Sequence, residues 1–447
     1  MSILVLFLFF AIIAIMIYGD TESRFLSLVI GTILFPTTAL IIKNPSISPQ
    51  HILLYAYFFI EFLKDRDNFN KSIFKNILTI PIFINLVSYV FTAAYNSGIA
   101  SKDMYYGVRD SIDCLGYIYA AFIFGKKADL IHFAKKLQPF IFILCFFGIA
   151  EILLNDNLPY RIINSAFPYY EGSRDLNTSM SLTESWRFRT CFTTKHPTAF
   201  GTLLMTLFLF YVPYFKNKKL DSKKISALLI LLCINLFLCG SRTAMICSAF
   251  GVCLIAYFRL SIFFKILLTG ILIFSFSLIV SIIVENFQTN TDHGGSSLDF
   301  RTKQLVFCMA SIYNSPILGN GNKYTSHVIF AEETRAHNSY GEDMGGLESV
   351  IFTLLIDRGF LGLFSYYLLL IWMLAILFKY QKKVPEIAGG FALVASGIAF
   401  LTLSGTIGNS SSFIFLFTGL QLGNIVKFKE LPNEQQEANL KELRTEN

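Results

Sequence analysis

The sequence predicts an all-α protein, a polytopic transmembrane bundle of about 12–14 spans, and three observations predict it. Hydrophobic residues make up 54% of the chain, Phe alone supplies 47 of 447 residues and the mean hydropathy is +0.56. That composition excludes a water-soluble globular enzyme of ordinary make-up. The apolar residues gather into charge-poor runs near the ~20 residues that cross a bilayer. Clusters of lysine separate alternate runs. Each run must be a helix, because a backbone without water has to satisfy its own hydrogen bonds and the spacing is wrong for strands.

The first run, about 3–18, has no Lys or Arg before it, and Tyr18-Gly19-Asp20 makes a poor cleavage site, so it reads as a retained span. Further runs follow at about 25–43, 50–64, 76–95, 108–124, 137–154, 196–214, 225–239, 243–258, 266–285, 359–378, 386–403 and 408–426. Residues 1–426 therefore read as one transmembrane domain, and the charged tail 427–447 as a solvated cytoplasmic extension.

Orientation follows from the lysines. Lys64, Arg66, Lys71 and Lys75 share one loop, Lys126, Lys127, Lys135 and Lys136 a second, Lys216, Lys218, Lys219, Lys223 and Lys224 a third, and Lys379, Lys382 and Lys383 a fourth. The positive-inside rule makes these loops cytoplasmic. The pI near 8.8 is then a mark of topology, and no nucleic-acid partner is implied. Two long loops, about 155–195 and 286–346, fall on the external side, the second containing short helices. An odd number of runs with a cytoplasmic C-terminus would leave the N-terminus outside, whereas an even number with both ends inside is the more usual pattern. Most of the eight cysteines (Cys114, Cys145, Cys233, Cys239, Cys247 and Cys253) lie in or beside apolar runs, where a thiol behaves as a small hydrophobe. Cys191 and Cys308 are external, and no disulfide framework is expected.

The basic residues change type across the membrane. Outside they are mainly arginine: Arg161, Arg174, Arg187 and Arg189 in the first loop, Arg242 in a tight turn at Gly240-Ser241, and Arg301 and Arg335 in the second loop. Arginine presents a rigid fork of donors that matches phosphate oxygens, which points to an anionic partner. Arg242, at headgroup depth, either snorkels to lipid phosphate or holds a lipid-linked pyrophosphate. From Leu298 to about Tyr313 the apolar spacing is that of an amphipathic helix, with Ser297 and Asp299 at its start and Arg301 in its first turn. Asn314-Ser315-Pro316 ends it, and Gly319-Asn320-Gly321 reads as a structural turn in preference to a phosphate cradle.

His337, followed by Asn338, stands near the end of the second loop, about ten residues before the next apolar stretch, so its imidazole lies just outside the bilayer. There it either makes a structural hydrogen bond or accepts a proton from a hydroxyl. Glu348 caps an interfacial helix, or orients His337 or a sugar hydroxyl. Asp357-Arg358-Gly359 mark a break between a surface-lying helix and the true span. His196-Pro197 opens a span beside Lys195. No histidine pair or carboxylate cluster has metal-ligand spacing, so any phosphate charge must be met by arginines.

Arg189 ahead of His196-Pro197, the Gly240-Ser241-Arg242-Thr243-Ala244 turn, Arg301 ahead of Pro316 and Gly319-Asn320-Gly321, and His337-Asn338 followed by Asp357-Arg358-Gly359-Phe360-Leu361-Gly362-Leu363 occur in that order. Over roughly residues 185–380 the chain thereby resembles the O-antigen ligase and polymerase superfamily of bacterial inner-membrane glycosyltransferases. The resemblance implies a multi-pass protein of the bacterial inner membrane whose active site faces the periplasm. It implies an undecaprenyl-pyrophosphate-linked oligosaccharide as donor, metal-independent transfer without a cofactor, and, for a polymerase, a chain-length regulator protein as partner. His337 would deprotonate the acceptor hydroxyl and Arg242 and Arg301 would hold the pyrophosphate, with Arg189, Arg335, Asn338 and Glu348 lining the substrate site. Asp357 stands where the pattern has a glutamate, which leaves its role open.

Pyrophosphate is already a good leaving group, so such a site needs a base, charge stabilisation and alignment. The first external loop, with its arginines and two aromatic patches (Phe167-Pro168-Tyr169-Tyr170 and Trp186-Arg187-Phe188), favours a polymerase that holds two anionic lipid-linked glycans; a ligase passing the glycan to lipid A-core is the alternative. A lipid-linked glycan flippase is a third reading. Transporters place polar groups at mid-bilayer, and here Glu61 and Glu151 fall near span ends and Asp110 and Asp113 at a span start.

Overall fold

In a computed structural model the protein is described over residues 2–42, 47–66, 69–70, 76–97, 101–168, 189–194, 196–216, 220–260, 297–325, 347, 349–381, 387–404 and 409–430. The helices in chain order are α1 (Ser2–Tyr18), α2 (Thr21–Leu34), α3 (Pro49–Lys64), α4 (Thr79–Ser97), α5 (Ser101–Gly125), α6 (Leu130–Leu154), α7 (Leu158–Asn164), α8 (Pro197–Tyr211), α9 (Ser222–Cys239), α10 (Arg242–Arg259), α11 (Ser297–Ile312), α12 (Val350–Tyr380), α13 (Ile387–Ser404) and α14 (Asn409–Glu430). A single bridge between Ile42 and Ile47 is the one β feature among the described residues. The fold is the all-α polytopic bundle that the apolar runs predict.

Among the described residues, five helices are long and apolar enough to cross a bilayer: α6, α8 with its 3-10 extension to Phe215, α9, α12 and α14 from Ser410. The apolar helices Ser2–Tyr18, Arg242–Phe258 and Ile387–Leu403 are somewhat shorter. α8 is the central post, enclosed by α9, α10, α13 and α14, and its apolar window is 72% buried. α5 and α14 pack most closely, because Gly125 and Gly423 let their backbones meet: a Cβ on Gly423 would lie 2.8 Å from Gly125 Cα. The run expected at 25–43 is shorter in the structure. α2 stops at Leu34, since Pro36 forces the preceding residue out of the helical region. The run expected at 266–285, most of both long loops and the tail from 431 lie outside the described residues.

Contacts at one end of the bundle join the lysine-rich loops to each other. Glu22 Oε2 meets Lys136 Nζ at 2.8 Å, Asp65 Oδ2 meets Lys127 Nζ at 3.3 Å, and Lys427 Nζ donates to Ala128 O at 2.8 Å. Lys429 lies 4.9 Å from the centre of the Tyr380 ring. The opposite end is joined in the same way: Thr92 Oγ1 donates to Leu318 O at 3.0 Å, Thr193 Oγ1 to Ile33 O at 2.6 Å and Leu40 N to Pro168 O at 3.0 Å. Lys127, Lys136, Lys427 and Lys429 thus gather at one end of the packed bundle.

α12 is broken at Gly359, whose φ of 62° and ψ of −163° only glycine adopts readily. The break is sharp. Ser349 Oγ donates to Thr402 O at 2.6 Å while Tyr367 OH lies 2.7 Å from Thr402 Oγ1, although a straight helix would hold residues 349 and 367 about 27 Å apart. The backbone groups freed at the break are taken up by the turn that follows α11. Phe360 N donates to Pro316 O at 2.9 Å and Leu361 N to Ile317 O at 3.0 Å; in return Asn320 N donates to Ile356 O at 2.9 Å and Gly321 N to Asp357 O at 3.0 Å. In a bilayer each of these groups would otherwise lack a partner.

Two outcomes test this architecture. A Cβ on Gly359 would stand 2.6 Å from Pro316 O, so Gly359→Ala is expected to cost at least about 3 kcal/mol, read as a fall in the unfolding midpoint in detergent. In a background without native cysteines, a cysteine at Ser326 or Ser296 should react with a membrane-impermeant maleimide in cells with a permeable outer membrane, and one at Asn217 only after the inner membrane is breached. The opposite pattern would invert the topology.

Candidate functional site

Two groups of residues stand at the end of the bundle opposite the lysines. The first is the α9–α10 hairpin. Gly240 caps α9 in the left-handed region, with φ 62° and ψ 18°, and Ser241 leads into α10. The hairpin is held from outside by Arg189, whose Nε donates to Cys239 O at 3.0 Å and whose Nη2 donates to Gly240 O at 3.1 Å. These are carbonyls that the C-terminus of α9 leaves without intrahelical partners. Any side chain on Gly240 would meet Arg189, a Cβ there lying 3.0 Å from Nε. The hairpin also rests on α8, where Gly201 packs against Ser241. α8 begins at the same end, with His196 as its N-cap accepting from Thr198 N at 3.2 Å through Nδ1.

Arg242 is the first residue of α10, exposed, and makes no hydrogen bond or ion pair among the described residues. A helix N-terminus carries a partial positive charge and free backbone donors. Arg242 adds a full charge and a planar fork to that terminus, the arrangement that receives a phosphate or pyrophosphate.

The segment 189–194, which brings Arg189 to the hairpin, is tied down by a residue that sequence reasoning placed only near a span end. Glu151 Oε2, at the end of α6, accepts from Cys191 N at 3.0 Å and from Phe192 N at 3.3 Å, and Phe192 turns through a φ of 54°. Cys191 and Cys308 are both free thiols, buried by their surroundings. Burial pushes the Cys308 thiol up to about 11, which keeps it protonated near neutral pH.

The second group surrounds the break in α12. α11 packs through Cys308 and Ile312 on Leu355 and Ile356, which sets the position of the 314–325 turn. Gly319-Asn320-Gly321 is the structural turn that the sequence predicts, because the amides of Asn320 and Gly321 already donate to α12. Asp357, whose role the sequence left open, accepts from Thr325 N at 2.7 Å and from the Thr325 hydroxyl. Arg358 is buried against α4, with Nη1 at 3.4 Å from Asn85 Oδ1 and 3.3 Å from Ser88 Oγ.

Of the residues singled out in the sequence, the structure places Arg242 on the α9–α10 hairpin, Arg189 against its turn, and Arg301 in the first turns of α11, its side chain lying outside the described residues. His337, Arg335, Asn338 and Glu348 also lie outside them, as do Arg174 and Arg187. Arg161 is engaged by Asp156 at the surface. Asp113 is not at a span start: α5 begins at Ser101, which places Asp113 midway along the helix, where it meets His51 Nε2 at 2.9 Å and Tyr55 OH at 3.1 Å. A second buried pair, Arg24 with Glu61 at 2.6 Å, joins α2 to α3. The spans thus hold more ionisable groups than their apolar composition suggests, two sets of them mutually paired.

Residues 227–367 match the family model described as O-antigen ligase. The matched segment runs from α9 through Arg242, α11 and the docked turn to the break in α12. A search of the curated proteins gave no match.

Arg189→Lys tests the assignment of Arg189 to the hairpin. One ammonium cannot reproduce the two directed bonds, so a loss of about 1–2 kcal/mol is expected, measured as a lower unfolding midpoint. An unchanged midpoint would release Arg189 for direct contact with substrate.

Proposed function

We propose, on the premise that the chain belongs through residues 227–367 to the O-antigen ligase and polymerase superfamily, that it joins lipid-linked glycan repeat units as a polymerase. The observation that carries the reading is Arg242. It is an exposed arginine without a partner among the described residues, at a helix N-terminus within the matched segment, on a hairpin braced by Arg189. In this reading Arg242 and Arg301 receive the pyrophosphate of an undecaprenyl-linked donor, and Arg335, Asn338 and Glu348 line the glycan. The site faces the periplasm from the inner membrane, with a chain-length regulator protein as a further partner.

The chemistry needs one base. His337 takes the proton of the acceptor hydroxyl as its oxygen attacks the anomeric carbon; the bond to the pyrophosphate oxygen breaks, and the arginines stabilise the negative charge that this adds to the departing pyrophosphate. A well-placed base contributes on the order of 10²–10⁴ in rate, and donors aimed at developing charge act most strongly where water is excluded. Asp357 fixes Thr325, twelve residues before His337. The description of the matched family favours a second reading, transfer of the finished glycan to lipid A-core, which the same site would perform with a different acceptor.

Reconstitution with lipid-linked repeat units, with and without a lipid A-core acceptor and in the presence of EDTA, tests both readings. A gel ladder without the core acceptor is expected, lost in His337→Ala by about 10²-fold or more and poorly rescued in Arg242→Lys. Product only with the core acceptor would make the protein a ligase. Wild-type synthesis by His337→Ala would remove the histidine from the mechanism, and strict dependence on Mg²⁺ would remove the arginine-only account of the leaving group.

A further inference from the structure

Arg358 leaves a deficit of a single sign. Its side chain is 2% exposed, yet the groups around it are neutral: Ser88 Oγ at 3.3 Å, Asn85 Oδ1 at 3.4 Å and the ring of Tyr89, whose centre lies 3.8 Å from Cζ. Arg358 Nη2 has no hydrogen-bond partner. No carboxylate pairs with Arg358 among the described residues, and the adjacent Asp357 is turned to Thr325. Because the oxygen of the Asn85 amide faces the guanidinium, its nitrogen points away, and Nδ2 is also buried without a partner. One uncompensated charge and two unused donors therefore stand side by side.

A buried cation is tolerated when it is paired, and an aromatic face with two long hydrogen bonds is partial compensation. Water would satisfy the donors and leave the charge. The group that meets all three deficits is an anion with several acceptor oxygens, and the position restricts which. Tyr89 lies about 12 Å below the end of α4, at the end of the bundle where Thr92 and Asn322 join α4 to the docked turn. Between helices near a bundle end, the phosphate of a molecule anchored in the bilayer is an anion of that kind within reach.

We propose that Arg358 and Asn85 form an anion site that takes the phosphate oxygens of a membrane-anchored phosphate, a second subsite in addition to the one at Arg242. The inference deepens the proposed function and rests on it only for the identity of the lipid: transfer between two lipid-linked molecules requires two phosphate subsites, and Arg358 supplies the second.

The test is binding, which does not depend on turnover. The full-length protein in uncharged detergent is titrated with farnesyl pyrophosphate, inorganic pyrophosphate or phosphatidylglycerol, and the unfolding midpoint is followed. Farnesyl pyrophosphate should raise the midpoint of the wild type. Arg358→Gln should begin at an equal or higher midpoint, since the uncompensated charge is gone, and bind about tenfold or more weakly. Asn85→Leu, which leaves the break in α12 untouched, should weaken binding in the same direction. An Arg358-dependent response to phosphatidylglycerol equal to that of farnesyl pyrophosphate would support the anion site and name a lipid headgroup as its source. A response to inorganic pyrophosphate alone would overturn membrane anchorage. Equal binding by Arg358→Gln and wild type overturns the site. If Arg242→Gln loses binding while Arg358→Gln keeps it, the inference fails and the proposed function stands; the reverse result leaves the inference standing and removes Arg242 from the site.

Discussion

The exchange of backbone hydrogen bonds between the 316–321 turn and the break in α12 is the constraint on which the bundle end opposite the lysines depends. A transmembrane helix that stops short in the bilayer exposes amides and carbonyls that lipid cannot satisfy. Here Pro316 and Ile317 accept from Phe360 and Leu361, and Asn320 and Gly321 donate back to Ile356 and Asp357. Because both partners are backbone, the pairing fixes two segments distant in sequence without demanding particular side chains. The side chains are thereby free for other work. Asp357 reaches Thr325 and Arg358 reaches α4, so one break organises three neighbouring segments.

The hairpin at Gly240 follows the same principle with different means. The free carbonyls at the end of α9 are taken by the guanidinium of Arg189, and the chain that delivers Arg189 is anchored in turn by the buried carboxylate of Glu151. Arg242 emerges two residues beyond the cap with its donors uncommitted. Within one hairpin, then, one arginine is structural and the next is available to a ligand. The difference lies in position relative to the helix ends, since the residue type is the same.

Much of this was legible in the sequence. The all-helical class, the lysine-marked end, the turn at Gly319-Asn320-Gly321 and the break after Asp357-Arg358 each have a local cause: an apolar run, a charge cluster, a glycine with positive φ. Arg189 reads as a phosphate ligand in the sequence because its partners are carbonyls some fifty residues away, and carbonyls leave no trace in residue type. α2 ends early at Pro36, a breaker hidden inside an apolar run. Asp113 belongs to the interior of α5 because polar residues at the start of that helix resemble a loop. The polar stripe of α4, Asn85, Ser88 and Thr92, repeats at helical spacing and was the available sign that something polar packs against it.

The account's central claim is a single displacement, with a base on the acceptor hydroxyl and arginine-bound pyrophosphate leaving from the opposite face. Its most direct measurement is the anomeric configuration of the new linkage, determined by NMR on product made from a lipid-linked repeat unit of known configuration. The account predicts inversion at every linkage formed. Retention of the donor configuration would require a covalent glycosyl intermediate on the protein, and would contradict it.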